Sequence, residues 1–225
     1  FEKGHDRERA VHYLVRAAEN AARRYANQAA SDSLTRALDM LEHTAGSGRD
    51  DLRLLVLERR GMLRRAMGQT EDAAADFDTL ARLARQRGCA EHEARALFYL
   101  ASAVFAVDGD RCLAAAQRAV ELSRDIGDEL FRARTRGSSG YWHSILRGWR
   151  PEDARACEEA TAAARRNPDR ALLSLLLARR SYFHRLAGSY RDALAAAEEG
   201  ATVALEVGDA YEYLFCQYAR TQALF

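Results

Sequence analysis

Apolar residues recur at helical spacing along the whole sequence, in segments separated by single glycines or prolines. Leu54 and Leu57, and likewise Leu172 and Leu176, are three or four positions apart, which places them on one face of an α-helix. Glycine ends helices because it adopts the left-handed backbone conformation at little cost. The interruptions are Gly46, Gly68, Gly88, Gly109, Gly127, Gly148, Pro168, Gly188 and Gly208, at intervals of 18 to 22 residues. The pattern predicts an all-α chain of eleven helices of nearly equal length.

Every second turn has a signature of its own. Ala73 and Ala193 each stand five residues after a glycine, whereas the turn before Ala154 is read as one residue longer and the turn before Cys112 as two shorter. The anchors Ala30, Ala73, Cys112, Ala154 and Ala193 are therefore spaced 43, 39, 42 and 39 residues apart. Equal helices on a fixed period are typical of a repeat array. We expect four of the anchors to be buried where two helices cross, because only small side chains allow close approach: Ala73, Cys112, Ala154 and Ala193.

Gly188, Tyr190, Ala193, Leu194 and Ala197 resemble the tetratricopeptide repeat (TPR), in which an aromatic residue and small or apolar residues follow a glycine-containing turn. Gly61, preceded by Leu57, matches the small residue at which the two helices of a TPR pair cross. The resemblance implies a right-handed α-solenoid of about five and a half helix pairs, in one domain over residues 1–225. The implied repeats are 7–45, 49–87, 90–126, 128–166 and 169–207, with a half repeat at 209–225. A HEAT-type array and an ordinary helical bundle are the competing architectures.

The repeat period near 40 exceeds the standard TPR period of about 34 residues. It is similar to the extended repeats of bacterial signal-transduction ATPases of the maltose-regulon-activator type, and Tyr13, Leu14 and Ala21 look like part of their first solenoid helices. The resemblance implies a non-catalytic interaction or scaffold module, in the sensor or regulatory region of a larger bacterial signalling ATPase or transcriptional regulator. A solenoid that senses a small-molecule effector is the alternative, and an enzyme is a more remote one.

Charge and cysteine usage narrow the classes of partner and the compartment. The chain has 34 basic and 33 acidic side chains, a net charge of +1, whereas nucleic-acid-binding segments usually show a basic excess. The longest apolar run, 171–178, is too short to cross a bilayer, and no secretion leader is visible. Four scattered cysteines without a CxxC motif favour reduced thiols. We therefore expect a cytoplasmic location, with neither nucleic acid nor membrane as a partner of this segment.

Candidate chemistry is sparse. The motifs GxxxxGK[ST] and GxGxxG are absent, and no two of the six histidines share a metal-binding spacing on one helix. His143 and His184 lie one repeat apart and could approach each other. Carboxylates such as Glu158 and Glu159 are adjacent, and neighbours on a helix point about 100° apart. Paired arginines such as Arg59-Arg60 and Arg179-Arg180 are interpreted as an ion-paired, solvated surface. We predict no catalytic residue, no metal, no cofactor, and buried structural cysteines.

The first helix of each pair is expected to line a concave face that binds a protein or peptide. Counting inward positions from each turn places large aromatics beside arginines, the residue types that concentrate binding energy. The alternative is that the same aromatics pack between helices. The predicted face comprises Met62, Arg65, Ser138, Trp142, Ile145, Tyr182, Arg185, Tyr218 and Gln222.

The segment 209–225 is interpreted as the first helix of a sixth pair. Its apolar residues then face either the preceding repeat or nothing, and terminal repeats normally need a polar outer face. We predict an apolar end surface that favours self-association or packing of a following repeat. Its residues are Tyr211, Leu214, Phe215, Tyr218 and Ala219.

Overall fold

Helices follow one another with short turns throughout the computed structural model, which describes residues 2–43, 48–168 and 170–224, with side chains from residue 7 onward. Within those ranges there are eleven helices and no strand, as the apolar pattern predicts. The helices are α1 (Glu2–Ala22), α2 (Asn27–Glu42), α3 (Arg49–Ala66), α4 (Thr70–Gln86), α5 (Ala90–Val104), α6 (Gly109–Ser123), α7 (Glu129–Arg147), α8 (Pro151–Arg165), α9 (Arg170–Leu186), α10 (Tyr190–Val207) and α11 (Ala210–Leu224). The predicted helix end at Gly46 and the last residue of the predicted half repeat, Phe225, lie outside the described residues.

The turn between α10 and α11 shows how sequence ends one helix and starts the next. Gly208 adopts the left-handed conformation at φ 71°, and the N–H groups of Gly208 and Asp209 donate to carbonyls of the last turn of α10. The Asp209 carboxylate then accepts from the backbone N–H of Glu212 at 3.0 Å, which caps α11. Gly109 differs from the prediction, because it is the first residue of α6 and the preceding Asp108 provides the cap.

The helices pack as antiparallel pairs within two compact units, residues 1–115 and 116–225. In the first unit α1 packs on α2 and α3 on α4; in the second, α7 packs on α8 and α9 on α10. Within each unit the first helices of successive pairs also contact one another: α1 with α3 and α3 with α5 in the first, α7 with α9 and α9 with α11 in the second. This is the pairing of a TPR-like solenoid. The extent of a single domain over residues 1–225 and the exact repeat bounds stay predictions.

Small residues lie at the crossings of the pairs, as expected, with one correction. Ala30, Ala73, Cys112 and Ala193 are fully buried. The fourth anchor is wrong by one residue, because Ala154 is only partly buried and Asp153 is the buried residue at that crossing. Asp153 lies five residues after Gly148, the same interval as Gly68 to Ala73. The turn is therefore not lengthened, and an aspartate replaces the alanine.

Gly61 permits the close approach of α3 and α4, as the resemblance implies. A Cβ atom at Gly61 would lie 2.7 Å from Cε1 of Phe77, which is fully buried and stacks on Tyr99 at a ring distance of 5.5 Å. The aromatic ring therefore occupies the space that the glycine leaves.

An ionic network is buried between α2, α3 and α4. Asp76 is 3% exposed and accepts hydrogen bonds from Arg60 at 2.6 and 3.0 Å and from Arg64 at 2.9 Å. Arg60 also donates to the hydroxyl of Thr35 at 3.0 Å, which links the acid to α2. The prediction that the paired arginines are solvated is wrong for these two residues. Two guanidinium groups neutralise an acid that would otherwise be buried without a partner.

Candidate functional site

Aromatic rings from three successive first helices meet in the second unit. Tyr141 of α7 lies with its ring centroid 5.1 Å from that of Tyr182 on α9 and 6.3 Å from that of Phe215 on α11. The interplanar angles are 77° and 84°, which is the edge-to-face arrangement that aromatic quadrupoles favour. The three rings therefore fix the relative positions of α7, α9 and α11 on one face.

Arg179 of α9 lies among these rings. Its guanidinium carbon is 5.4 Å from the ring centroid of Tyr141 and 5.8 Å from that of Trp142, and it donates a hydrogen bond to the hydroxyl of Ser138. Burial lowers the pKa of Arg179, and the negative charge of Glu212 on α11 opposes that shift. An arginine remains a cation under such conditions. Arg179 therefore supplies a positive charge beneath the aromatic surface.

Tyr141 stays neutral at physiological pH. Burial raises the pKa of Tyr141 to about 12; Arg179 acts in the opposite direction, and the phenols of Tyr182, Tyr211 and Tyr218 add to the rise. A protonated phenol is both a donor and an acceptor of hydrogen bonds. The same phenol–phenol interactions place Tyr211 and Tyr218 of α11 near Tyr141.

Arg185 follows Arg179 by six residues on α9 and lies at the edge of the same surface. Its guanidinium carbon is 5.5 Å from the ring centroid of Tyr182. In the described part of the chain Arg185 has no acidic partner. We refer to the surface formed by Tyr141, Arg179, Tyr182, Arg185, Phe215 and Tyr218 as the tyrosine–arginine cluster.

Part of the predicted face is found in this cluster and part is not. Tyr182 and Arg185 are partly exposed members of it, and Tyr218 is 61% exposed. Trp142 and Ser138 are corrections: Trp142 is 4% exposed and Ser138 is fully buried, so neither can contact a partner directly. Both support the surface from beneath, through Arg179. The predicted alternative, an aromatic packed between helices, is thus correct for Trp142.

The remaining predicted residues lie elsewhere. Ile145 near the end of α7 and Gln222 near the end of α11 are both exposed. Met62 and Arg65 belong to the first unit, where Met62 lines a cavity and Arg65 is exposed and donates to the Ser102 hydroxyl of α5 at 3.4 Å. The structure therefore brings three of the nine predicted residues together in one surface.

Three members of the cluster were not predicted: Tyr141, Arg179 and Phe215. Tyr141 directly precedes Trp142, and neighbouring residues on a helix point about 100° apart, so an error of one position exchanges a surface residue for a core residue. Counting back from Gly148, with Asp153 as the fourth anchor, gives Trp142, so the turn does not identify Tyr141. Arg179 and Phe215 carry no signal in the sequence either.

The predicted approach of His143 and His184 does not produce a joint site. Nδ1 of His143 is 3.0 Å from the Asp153 carboxylate, which Arg150 also binds through two hydrogen bonds of 2.8 and 2.9 Å. His184 lies instead 3.2 Å from Glu158. The two imidazoles therefore lie beside different acids, each of which also binds an arginine, and Nε2 of His184 makes no hydrogen bond. In the described ranges no three His, Cys, Asp or Glu side chains are grouped as a metal site would require.

Three of the four cysteines are buried, as predicted. Cys112, Cys157 and Cys216 are inaccessible, and burial raises the pKa of Cys112 and Cys157 to about 12 and that of Cys216 to about 11. Cys89 is partly exposed. Among the helices described, none is long and apolar enough to cross a membrane.

The apolar surface predicted for α11 is present in part. Tyr211, Leu214 and Tyr218 are each more than half exposed, whereas Phe215 packs beside a buried cluster of Ala178, Ala201 and Cys216. Self-association through this surface stays a prediction.

No protein-family model matches the sequence, and no curated protein matches it either. Many solved structures share the fold. A Rap protein complexed with Competence and Sporulation Factor matches with a TM-score of 0.74 and 14% identity, over 95% of this chain and 62% of that chain. NprR in complex with its cognate peptide NprX matches with a TM-score of 0.65 and 16% identity, over 94% of this chain and 64% of that chain.

A third similar structure is a signal-transduction ATPase with numerous domains (STAND) with a tetratricopeptide repeat sensor, from Pyrococcus horikoshii. It matches with a TM-score of 0.65 and 13% identity, over 96% of this chain and 33% of that chain. The chain thus spans about a third of the ATPase and less than two thirds of Rap and NprR. At such low identity the comparisons establish the fold, an all-α array of TPR-like helix pairs.

Proposed function

We propose that this array of TPR-like helix pairs is a non-catalytic interaction module that binds a segment of a partner protein on the face of α7, α9 and α11. The observation that carries the proposal is the tyrosine–arginine cluster. All of its members except Tyr218 are joined by contacts between rings or between a ring and a guanidinium group, and the surface is partly open to solvent. Residues held in place in this way lose little conformational entropy on binding, and aromatic and arginine side chains dominate binding energies.

The chemistry of the cluster indicates which segment it accepts. Arg179 provides positive charge beneath the surface. Arg185 at its edge has no acidic partner in the described residues, so a carboxylate of the partner gains charge-assisted hydrogen bonds from Arg185. Tyr182 and Tyr218 provide apolar area with a polar hydroxyl at its edge. A segment that combines acidic with aromatic or aliphatic side chains fits both properties.

Two of the similar structures support this proposal. NprR is seen with a cognate peptide, and the STAND ATPase has its TPR region as a sensor. We extend the proposal to context: the chain serves as the sensor or regulatory region of a larger bacterial signalling ATPase or transcriptional regulator. If the residues that flank this segment in the full-length protein form no such ATPase or regulator, this extension is wrong, whereas the proposal of partner binding is unaffected.

The test is a selection of binding peptides followed by affinity measurements on matched variants. A displayed library of random peptides is selected on the immobilised chain, and the enriched peptides are synthesised and measured by fluorescence anisotropy. Arg185→Ala and Tyr218→Ala should each weaken binding about five-fold or more, because each truncates a residue type typical of hot spots. The thermal midpoint of unfolding should change little, since both side chains are partly or largely exposed.

The controls lie on α10, the second helix of the pair that α9 begins. Arg191→Ala and Tyr190→Ala remove the same chemistry from exposed positions of α10 and should leave affinity within about two-fold. The proposal is wrong if no peptide is enriched, or if enriched peptides bind the site variants and the controls equally well.

A further inference from the structure

A cavity of about 470 Å³ opens between α1, α2 and α3 in the first unit. Val15 of α1, Leu34 of α2 and Met62 of α3 line its interior, and the first two are buried. Side chains from three helices line it, and one side is open to solvent. Its volume lies within the range of about 300–1,000 Å³ typical of sites for small molecules.

Charged groups occur only at the mouth of this cavity. Glu19 comes from α1, Arg23 directly follows the end of α1, and Arg59 comes from α3. The guanidinium of Arg59 is 3.8 Å from the Glu19 carboxylate, which is beyond hydrogen-bond distance, and both side chains are more than a third exposed. Arg23 donates to the amide oxygen of Asn20 and not to an acid. The mouth therefore carries two cations and one anion, with a net positive charge.

We propose that this cavity binds a small molecule with an apolar body and a single carboxylate. The apolar body occupies the space lined by Val15, Leu34 and Met62, where it is removed from water. The carboxylate remains at the mouth and accepts hydrogen bonds from Arg59 and Arg23. A fork of guanidinium donors suits a carboxylate because both of its oxygens can be bound at once. The inference does not depend on the proposed function, since all of these residues belong to the first unit.

Glu19 limits the affinity of the cavity for a carboxylate. It competes with the ligand carboxylate for Arg59 and repels it, but its own contact with Arg59 is loose and solvated. Replacing Glu19 by glutamine removes the repulsion and keeps the shape. The carboxylate should therefore bind more tightly to Glu19→Gln than to the unaltered chain, which is a gain that unspecific damage to the fold would not produce.

The experiment is isothermal titration calorimetry of the full chain with straight-chain monocarboxylates of about six to twelve carbons, each below its micelle concentration. Primary alcohols and alkylammonium ions of the same lengths serve as matched probes. We expect saturable one-to-one binding of the carboxylates that tightens with chain length until the cavity is filled. The alcohols should bind about ten-fold more weakly, and the ammonium ions more weakly still.

Variants distinguish the contribution of the charges at the mouth from that of the cavity volume. Arg59→Gln should reduce the preference for carboxylate over alcohol about ten-fold, and Glu19→Gln should raise carboxylate affinity several-fold. Ala22→Phe, which places a ring in the cavity, should abolish binding of every probe. Arg36→Gln removes an exposed arginine of α2 outside the cavity and should change nothing.

Three results would overturn the inference. They are no saturable binding of any carboxylate, equal binding of carboxylates, alcohols and ammonium ions, and equal binding to Ala22→Phe and the unaltered chain. Circular dichroism of each variant shows whether the helices are intact, and a second cavity-filling change, Met62→Trp, replaces Ala22→Phe if that variant unfolds.

Discussion

Burial decides how much a charged residue contributes to the stability of this molecule. Asp76 and Asp78 are both on α4 and both bind arginine, yet Asp76 is almost fully buried whereas Asp78 pairs with Arg111 at the surface. A surface ion pair is screened by water and contributes little, but a buried charge without its partner is strongly destabilising. The two aspartates therefore form a matched pair for measurement.

Asp76→Asn should lower the free energy of unfolding by about 3–5 kcal/mol, because the guanidinium groups of Arg60 and Arg64 then lose their anion in a poorly hydrated site. Asp78→Asn should lower it by less than about 1 kcal/mol. Urea unfolding followed by circular dichroism measures both. A loss for Asp76→Asn as small as the one expected for Asp78→Asn would show that the network between α2, α3 and α4 is not a stabilising feature.

The cysteines should differ in reactivity with iodoacetamide at pH 8. The raised pKa of Cys112, Cys157 and Cys216 keeps these thiols protonated at that pH, and the thiolate is the reactive form. We expect modification of Cys89 alone in the folded chain and of all four thiols in urea. Mass spectrometry of the digested protein locates the label, and labelling of Cys157 as fast as Cys89 would contradict the burial described.

Residue positions near the site were only partly predictable from the sequence. Tyr182, Arg185 and Tyr218 follow from counting along their helices, since α9 and α11 keep the register of the turn signature. Trp142 does not, because it is buried whereas the neighbouring Tyr141 contacts Tyr182. Arg179 contacts a residue 41 positions away, Ser138, and no local pattern encodes such a contact.

At the scale of the element, the space at Gly61 decides how closely α3 and α4 can approach each other. Alanine favours a helix over glycine by about 0.8–1 kcal/mol, but its Cβ would meet the ring of Phe77 at 2.7 Å. The ring is held by Tyr99 and cannot move freely. Overpacking of this kind typically costs about 1–3 kcal/mol, which exceeds the gain in propensity.

We expect Gly61→Ala to destabilise the chain by about 1–2 kcal/mol on its own and to stabilise it by up to about 1 kcal/mol in the Phe77→Leu background. The smaller leucine leaves space for the methyl group, so only the propensity term remains. A double-mutant cycle in urea gives the coupling. Additive effects would mean that the glycine is not required for the approach of α3 to α4.

At the scale of the whole chain, the architecture was predictable because several features of the sequence agree. Periodic apolar residues, glycine turns and small residues at the crossings all indicate helix pairs, and the structure confirms the all-α array. The exception at Gly109 has a local cause, since Asp108 caps α6 and leaves the glycine inside the helix. Contacts between successive first helices depend on packing over long sequence distances, which the periodicity does not determine.

The central claim is that a partner segment binds at the tyrosine–arginine cluster on α7, α9 and α11. Tyrosines report on it directly, because members of the cluster and exposed tyrosines elsewhere can be observed in one spectrum. The chain is labelled with ¹³C in its tyrosine rings, the signals are assigned by Tyr→Phe variants, and a selected peptide is titrated while ring shifts are recorded by NMR. We expect saturable shifts at Tyr141, Tyr182 and Tyr218 and none at Tyr13, Tyr25 and Tyr190, which are exposed outside the cluster. Shifts confined to Tyr13, Tyr25 or Tyr190, with the cluster signals unchanged at saturation, would contradict the account.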